Sequence, residues 1–158
     1  KSIFFLALLV TMSLVACNDD SNEHKAHIND NGPQSQADSL KKAMDDDHII
    51  GMSKMGKLTR AEQTARRLLD SISQLPSKAR KAAEPFRTKL DSLQKELSYA
   101  ETAMDKWMKE LERDSVINQM KMEEKIKYFS SEKLKGEKVK ENILKGLQKA
   151  DSLIKDRF

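Results

Sequence analysis

Ala79, Ala83, Phe86, Leu90, Leu93, Leu97, Ala100, Met104, Trp107 and Leu111 follow one another at steps of three or four residues. That spacing is the tightest constraint on what this chain can fold into. A period near 3.6 lines one face of an α-helix with apolar groups, whereas a half-buried strand needs strict alternation. No sustained alternation occurs, and the residues that favour strands are few, the aromatics amounting to 5% of the chain. Two flanking segments repeat the helical spacing. One is Leu40, Met44, His48, Met52, Met55, Leu58, Ala65, Leu69 and Ile72; the other is Ile126, Phe129, Val139, Ile143, Ala150 and Leu153. The second is weakest from Ser130 to Gly136, which leaves room for a break or kink.

Punctuation divides these stripes into three helices. Asp38 or Ser39 is placed to cap the first, since a short polar side chain can accept from the free N–H groups of the first turn. Leu75-Pro76 ends it, because a residue before proline is pushed out of the helical region. Pro76 can open the second helix, where its missing N–H is not needed. Pro85 then kinks that helix or marks its true start. Arg113-Asp114-Ser115 forms the second turn. Gly136 and Gly146 fall on the inward face of the third helix and allow close packing there.

The expected fold class is therefore all-α, an elongated antiparallel three-helix bundle with coiled-coil-like periodicity spanning residues 38–158. Each helix holds about 35–40 residues and runs about 55 Å at 1.5 Å per residue. Charged residues make up 34% of the chain with a net charge of only +4. Signs so evenly interspersed are those of solvated helix faces. Nucleic acid is not an expected partner, because a phosphate backbone calls for cations gathered on one face.

The start of the chain addresses its compartment. Lys1 precedes an apolar run from Ile3 to Leu14, the pattern of a secretory signal peptide, here residues 1–16. The run is too short to span a bilayer, which needs about 20 residues. It exits through Leu14-Val15-Ala16-Cys17, which resembles the lipobox read by lipoprotein signal peptidase. Cys17 is the only cysteine, so no internal disulfide competes for its thiol. Acyl chains on Cys17 would bind a bilayer at about 0.8 kcal/mol per buried CH₂, and more than one chain gives stable anchoring.

Asn18-Asp19-Asp20 comes next, similar to the acidic signal that sends lipoproteins of Bacteroidota to the outer face of the outer membrane. The expected location is the outer membrane, on its periplasmic or cell-surface face. Residues 17–37 read as the lipidated cysteine and a flexible tether, too polar to bury enough surface to offset ordering. Such a coil reaches roughly 25 Å. His24 and His27 lie on it with metal-like spacing, but two imidazoles on a mobile leash make a poor site.

Catalytic machinery is not expected. A nucleophile needs an adjacent base, yet the one cysteine is taken by lipid and His48 is the only histidine in the helical domain. The carboxylates are expected on polar faces, and the five glycines form no phosphate loop.

One cluster stands out. Folding the helices back at Pro76 places His48 beside Met104, Met44 beside Met108 and Met52 beside Ala100; folding again at Ser115 places Met108 beside Met122. Met44, Met52, Met55, Met104, Met108, Met120 and Met122 then all fall toward one end, together with His48 and the single Trp107. Three readings are open. The cluster can be core, with methionine filling irregular gaps. It can be a soft-metal site, with His48, Met52 and Met55 on one face at i, i+4 and i+7. Met104 and Met108 would complete such a site, with Trp107 as a shield. Its cofactor would be Cu(I), or a haem held by His48 and one methionine. It can also be a patch for an apolar ligand or a partner helix, self-association included.

Three stretches resemble a known family: Met44 to Met55 (MDDDHIIGMSKM), Ala103 to Met108 (AMDKWM), and the closing run from Tyr128-Phe129 to Ala150 with its Lys138-Val139 and Lys149-Ala150. They are similar to small helical lipoproteins of Bacteroidota often labelled "viral A-type inclusion protein", a label that reflects coiled-coil-like composition. The resemblance covers roughly residues 43–155. The family often carries a proline in the first stretch, where this chain has Ser53 or a neighbour. It implies a lipoprotein with a helical fold and no assigned activity. The expectation drawn from the whole sequence is a lipid-anchored envelope protein with a structural or interaction role.

Overall fold

The computed structural model describes residues 35–154. The expected signal peptide, Cys17 and the tether to residue 34, with His24 and His27, lie outside the described residues. What is described is all-α: α1 (Gln36–Ser73), α2 (Ser77–Glu110), α3 (Asp114–Ile117) and α4 (Met122–Ile154). The three long helices α1, α2 and α4 pack pairwise around one core, as a helical bundle.

α1 begins earlier than expected. Its cap is Ser35, not Asp38 or Ser39. The Ser35 hydroxyl accepts the Asp38 backbone N–H at 3.2 Å and donates to the Asp38 carboxylate at 2.7 Å. This is the first half of a capping box; the Asp38 carboxylate takes the Ser35 hydroxyl in place of its backbone N–H, and sets a negative charge at the positive end of the helix. Ala37, expected on the tether, is therefore a core residue only 3% exposed. The polar composition of the preceding stretch hid a boundary that the Ser-x-x-Asp spacing marks.

The turn at Pro76 falls where expected. α1 stops at Ser73, and Pro76 is the residue preceding the first turn of α2. Pro85 neither starts nor ends α2; it lies inside it. A proline there leaves the carbonyl four residues earlier, on Lys81, without its helical donor. Lys81 and Pro85 are both exposed, so water can serve that carbonyl.

The second connection differs from the expected tight turn at Arg113-Asp114-Ser115. It runs over residues 111–121 and contains the single-turn helix α3. Ile117 packs it against the core. The Glu112 backbone N–H donates to the Tyr128 hydroxyl at 2.9 Å, tying the connection to α4. α4 is continuous through Ser130–Gly136, so the weak apolar stretch there does not break it.

Leu58, Leu90, Leu97, Met104 and Ile143 are the largest fully buried side chains. Removing each from water contributes about 1.5–3 kcal/mol. Glycines let the helices approach around them. A Cβ on Gly136 would lie 2.7 and 2.8 Å from two atoms of the Trp107 ring, and one on Gly146 would lie 3.1 Å from Leu97. Both bear out the inward placement read from sequence. Gly51 on α1 plays the same part without having been anticipated, since a Cβ there would overlap the Met104 methyl.

These contacts set opposite signs for two glycine-to-alanine changes. Alanine gains about 1 kcal/mol of helix propensity over glycine. At Gly136 the displaced indole adds an overpacking penalty of about 1–3 kcal/mol, so Gly136→Ala lowers stability. At exposed Gly56 a Cβ meets only the Arg60 side chain, at 3.6 Å, so Gly56→Ala raises stability by up to about 1 kcal/mol. Urea unfolding of the two variants checks both signs.

Candidate functional site

Three helices converge near Trp107. α1 supplies His48, α2 supplies Met104, Trp107 and Met108, and α4 supplies Glu132 and Gly136. The Nε2 of His48 stands 3.2 Å from the Met108 sulfur. The His48 and Trp107 rings meet edge to face, with centroids 5.9 Å apart and planes at 75°. The buried indole N–H donates to Glu132 Oε2 at 3.0 Å, and the Lys135 ammonium donates to Glu132 Oε1 at 2.8 Å. One carboxylate, 5% exposed, thus has both oxygens engaged, as a buried charge requires.

The structure brings together part of the expected cluster. His48, Trp107 and Met108 meet, and Met104 is fully buried over Gly51. Met44 is a core residue and Met55 packs half-buried against the core. Met52 is 42% exposed.

The expected register is one turn off: His48 faces Met108, not Met104. Side chains on a helix lean toward its N-terminus. In an antiparallel pair the α1 side chains lean away from the turn and the α2 side chains toward it, so the α2 partner that touches a given α1 residue lies further from the turn than equal counting gives. Thr59–Glu101 and Glu62–Gln94 follow the same displaced register. Met108 does not meet Met122. Trp107 beside it rests on Glu132 and Gly136, about three turns beyond Met122. Met122 itself is 53% exposed. The longer connection between α2 and α4 causes that displacement.

The sequence reading also placed every carboxylate on a polar face, and the structure corrects this for three. Asp47, Glu62 and Glu132 are all buried. Asp47 accepts from Lys140, which joins α1 to α4. Glu62 accepts from Arg66 at 2.7 Å and from Gln94 of α2 at 3.1 Å. A signal for two of them existed. Glu62 fills the step missing between Leu58 and Ala65, and Glu132 with Gly136 fills the gap between Phe129 and Val139.

Each buried pair leaves a mark on protonation. Burial alone would push the Glu62 carboxyl up, but the hydrogen bonds from Arg66 and Gln94 and the Arg66 charge outweigh it and hold it below its ordinary 4.5. The Lys135 and Lys140 ammoniums are pushed above their ordinary 10.5, chiefly by their bonds to Glu132 and Asp47. Burial likewise raises the Tyr128 hydroxyl above 10.0. Among the described residues no three His, Cys, Asp or Glu side chains gather where they could hold a metal ion. Any ion held at His48 would therefore depend on thioethers.

No family model matches this chain, and neither a curated protein nor a solved structure shows significant similarity to it. Comparison with known proteins adds nothing to the geometry, so the reading rests on the residues themselves.

The sign of the Glu62 shift fixes a pH response. A carboxyl held low in the folded state stabilises fully above its unfolded value near 4.5, and that stability is lost as pH falls through the depressed value. Glu62→Gln removes this component. The fall in stability between about pH 5 and pH 3 is therefore expected to be shallower in the variant than in the parent, measured by urea midpoints across that range.

Proposed function

We propose that this chain is a bacterial lipoprotein, anchored by acyl chains on Cys17, with a non-catalytic structural or interaction role in the cell envelope. The observation that carries the reading is Leu14-Val15-Ala16-Cys17 at the exit of a short apolar run. Lipid on Cys17 would hold the protein without help from the helical part. No helix among the described residues is long and apolar enough to cross a membrane. The acidic Asn18-Asp19-Asp20 that follows favours the outer membrane, on either its periplasmic or its surface face.

The chemistry of the bundle supports a non-catalytic role. Asp47, Glu62 and Glu132 each sit in an ion pair that bridges or braces helices, which suits them to packing more than to proton transfer. An interaction role draws support from apolar side chains left on the surface of α1 and α4: Ile49, Ile50, Leu134 and Leu144, each at least 40% exposed. A partner helix or a second copy of the chain could cover such groups. The resemblance to small helical lipoproteins of Bacteroidota agrees with this role.

The anchor is tested by fractionation. The parent protein made in a Gram-negative host is expected in the membrane fraction and in the detergent phase of a Triton X-114 partition, labelled by an alkyne fatty acid. Cys17→Ala should abolish the fatty-acid label and leave the chain uncleaved after residue 16, read by gel and intact mass. A parent protein that takes up no fatty acid, or a Cys17→Ala protein that takes up as much as the parent, would rule the anchor out.

A further inference from the structure

We propose that His48, Met108 and Met52 form a binding site for one soft monovalent cation, Cu(I) or its analogue Ag(I). The central observation is the approach of His48 Nε2 to the Met108 sulfur at 3.2 Å, across the interface of α1 and α2. Thioether sulfur is a weak hydrogen-bond acceptor, so a lone imidazole aimed at it makes a poor pair. With the other tautomer Nε2 carries a lone pair in place of the proton, and a cation held between it and the sulfur would satisfy both.

The distance fits such a bridge. With bond lengths like those of zinc sites, about 2.0 Å to nitrogen and 2.3 Å to sulfur, a cation bridging the 3.2 Å side would make an angle of roughly 95° at the metal. That angle belongs to a three- or four-coordinate ion, so further ligands are required. Met52 is placed to give one. It lies one turn after His48 on α1, and a helical side chain leans back toward the preceding turn. At 42% exposure its thioether is free to rotate without disturbing the core. Met104 is less suited, because its methyl is packed over Gly51.

The donor set selects the ion. Neutral imidazole and thioethers suit Cu(I), whereas carboxylates would suit harder ions. Among the described residues no three His, Cys, Asp or Glu side chains gather into a competing site for a harder ion. Entry is open, since His48 and Met108 are both only partly buried. The Trp107 ring, edge to face with His48, closes the inner side. The same contact argues against a haem: a porphyrin would have to stand between imidazole and sulfur, and at 3.2 Å they leave no slot for it.

The test uses the full chain in detergent with Cys17→Ser, because a thiolate takes soft ions ahead of thioethers. Silver nitrate in chloride-free buffer is the probe, followed through the ¹³C-labelled methyl groups of the eight methionines and through Trp107 fluorescence. Saturation at one equivalent is expected, with the Met108 and Met52 methyls shifting most and Trp107 quenched. Losses should lie in the range that changes around a metal produce: about 100-fold in Kd for His48→Phe and Met108→Leu, and about tenfold for Met52→Leu. Met122→Leu should bind as the parent does. Circular dichroism checks that each variant stays helical, and exposed Met52 gives a variant that does not touch the core. Absence of binding at micromolar silver overturns the site. So does an unchanged Kd in Met52→Leu and Met108→Leu, or shifts confined to Met120 and Met122.

Discussion

The bundle turns on where Trp107 sits. The outer rim of its ring lies so close to α4 that only a glycine fits at position 136, its N–H reaches Glu132, and it meets the His48 ring of α1 edge to face. One side chain therefore touches both neighbouring helices. The large apolar area of an indole gives this contact its energy, and the single N–H gives it a direction. Sliding α4 by one residue would carry Gly136 away from the ring and strand a carboxylate in the core. The cost of an unpaired buried charge is several kcal/mol, so register is held by polarity as well as by shape.

The same logic extends along the bundle. Lys140–Asp47 and Lys57–Asp151 both link α1 to α4 at nearly equal offsets, and Glu62–Gln94 and Thr59–Glu101 link the antiparallel α1 and α2. Leucine and alanine stripes alone specify register weakly, because one turn looks much like the next. Polar partners at fixed levels break that degeneracy, as buried polar groups do in coiled coils. The exposed pairs add little energy; the half-buried ones, desolvated and bonded, decide which turn meets which.

How far the sequence could be read follows from these causes. Helix identity was legible because the period is local: nine successive steps from Ala79 to Leu111 need no knowledge of the partner. The break at Pro76 was legible for the same reason. The cap at Ser35 was missed because composition, not spacing, was used to place the boundary. The short helix Asp114–Ile117 was missed because four residues carry too little period to see. The His48–Met108 pairing was displaced by one turn, since counting back from a turn ignores the direction in which side chains lean. Glu62 and Glu132 escape the sequence because charge by itself points a residue outward. Their positions in the three-four pattern say otherwise, and position outranks polarity wherever a cation or an indole waits opposite.

This last point bears on the site. A stripe that admits Glu62, Glu132 and His48 among its leucines is not a pure hydrophobic seam, and each inclusion needs a partner to be tolerated. Glu62 has Arg66 and Gln94, and Glu132 has Trp107 and Lys135. His48 has a thioether. Two of the three inclusions are therefore matched by strong partners of opposite polarity, while the third is matched by a soft, nearly apolar one. In a core that otherwise pairs charge with charge, sulfur facing imidazole is the exception, and a soft cation between them would restore the rule that the other two obey.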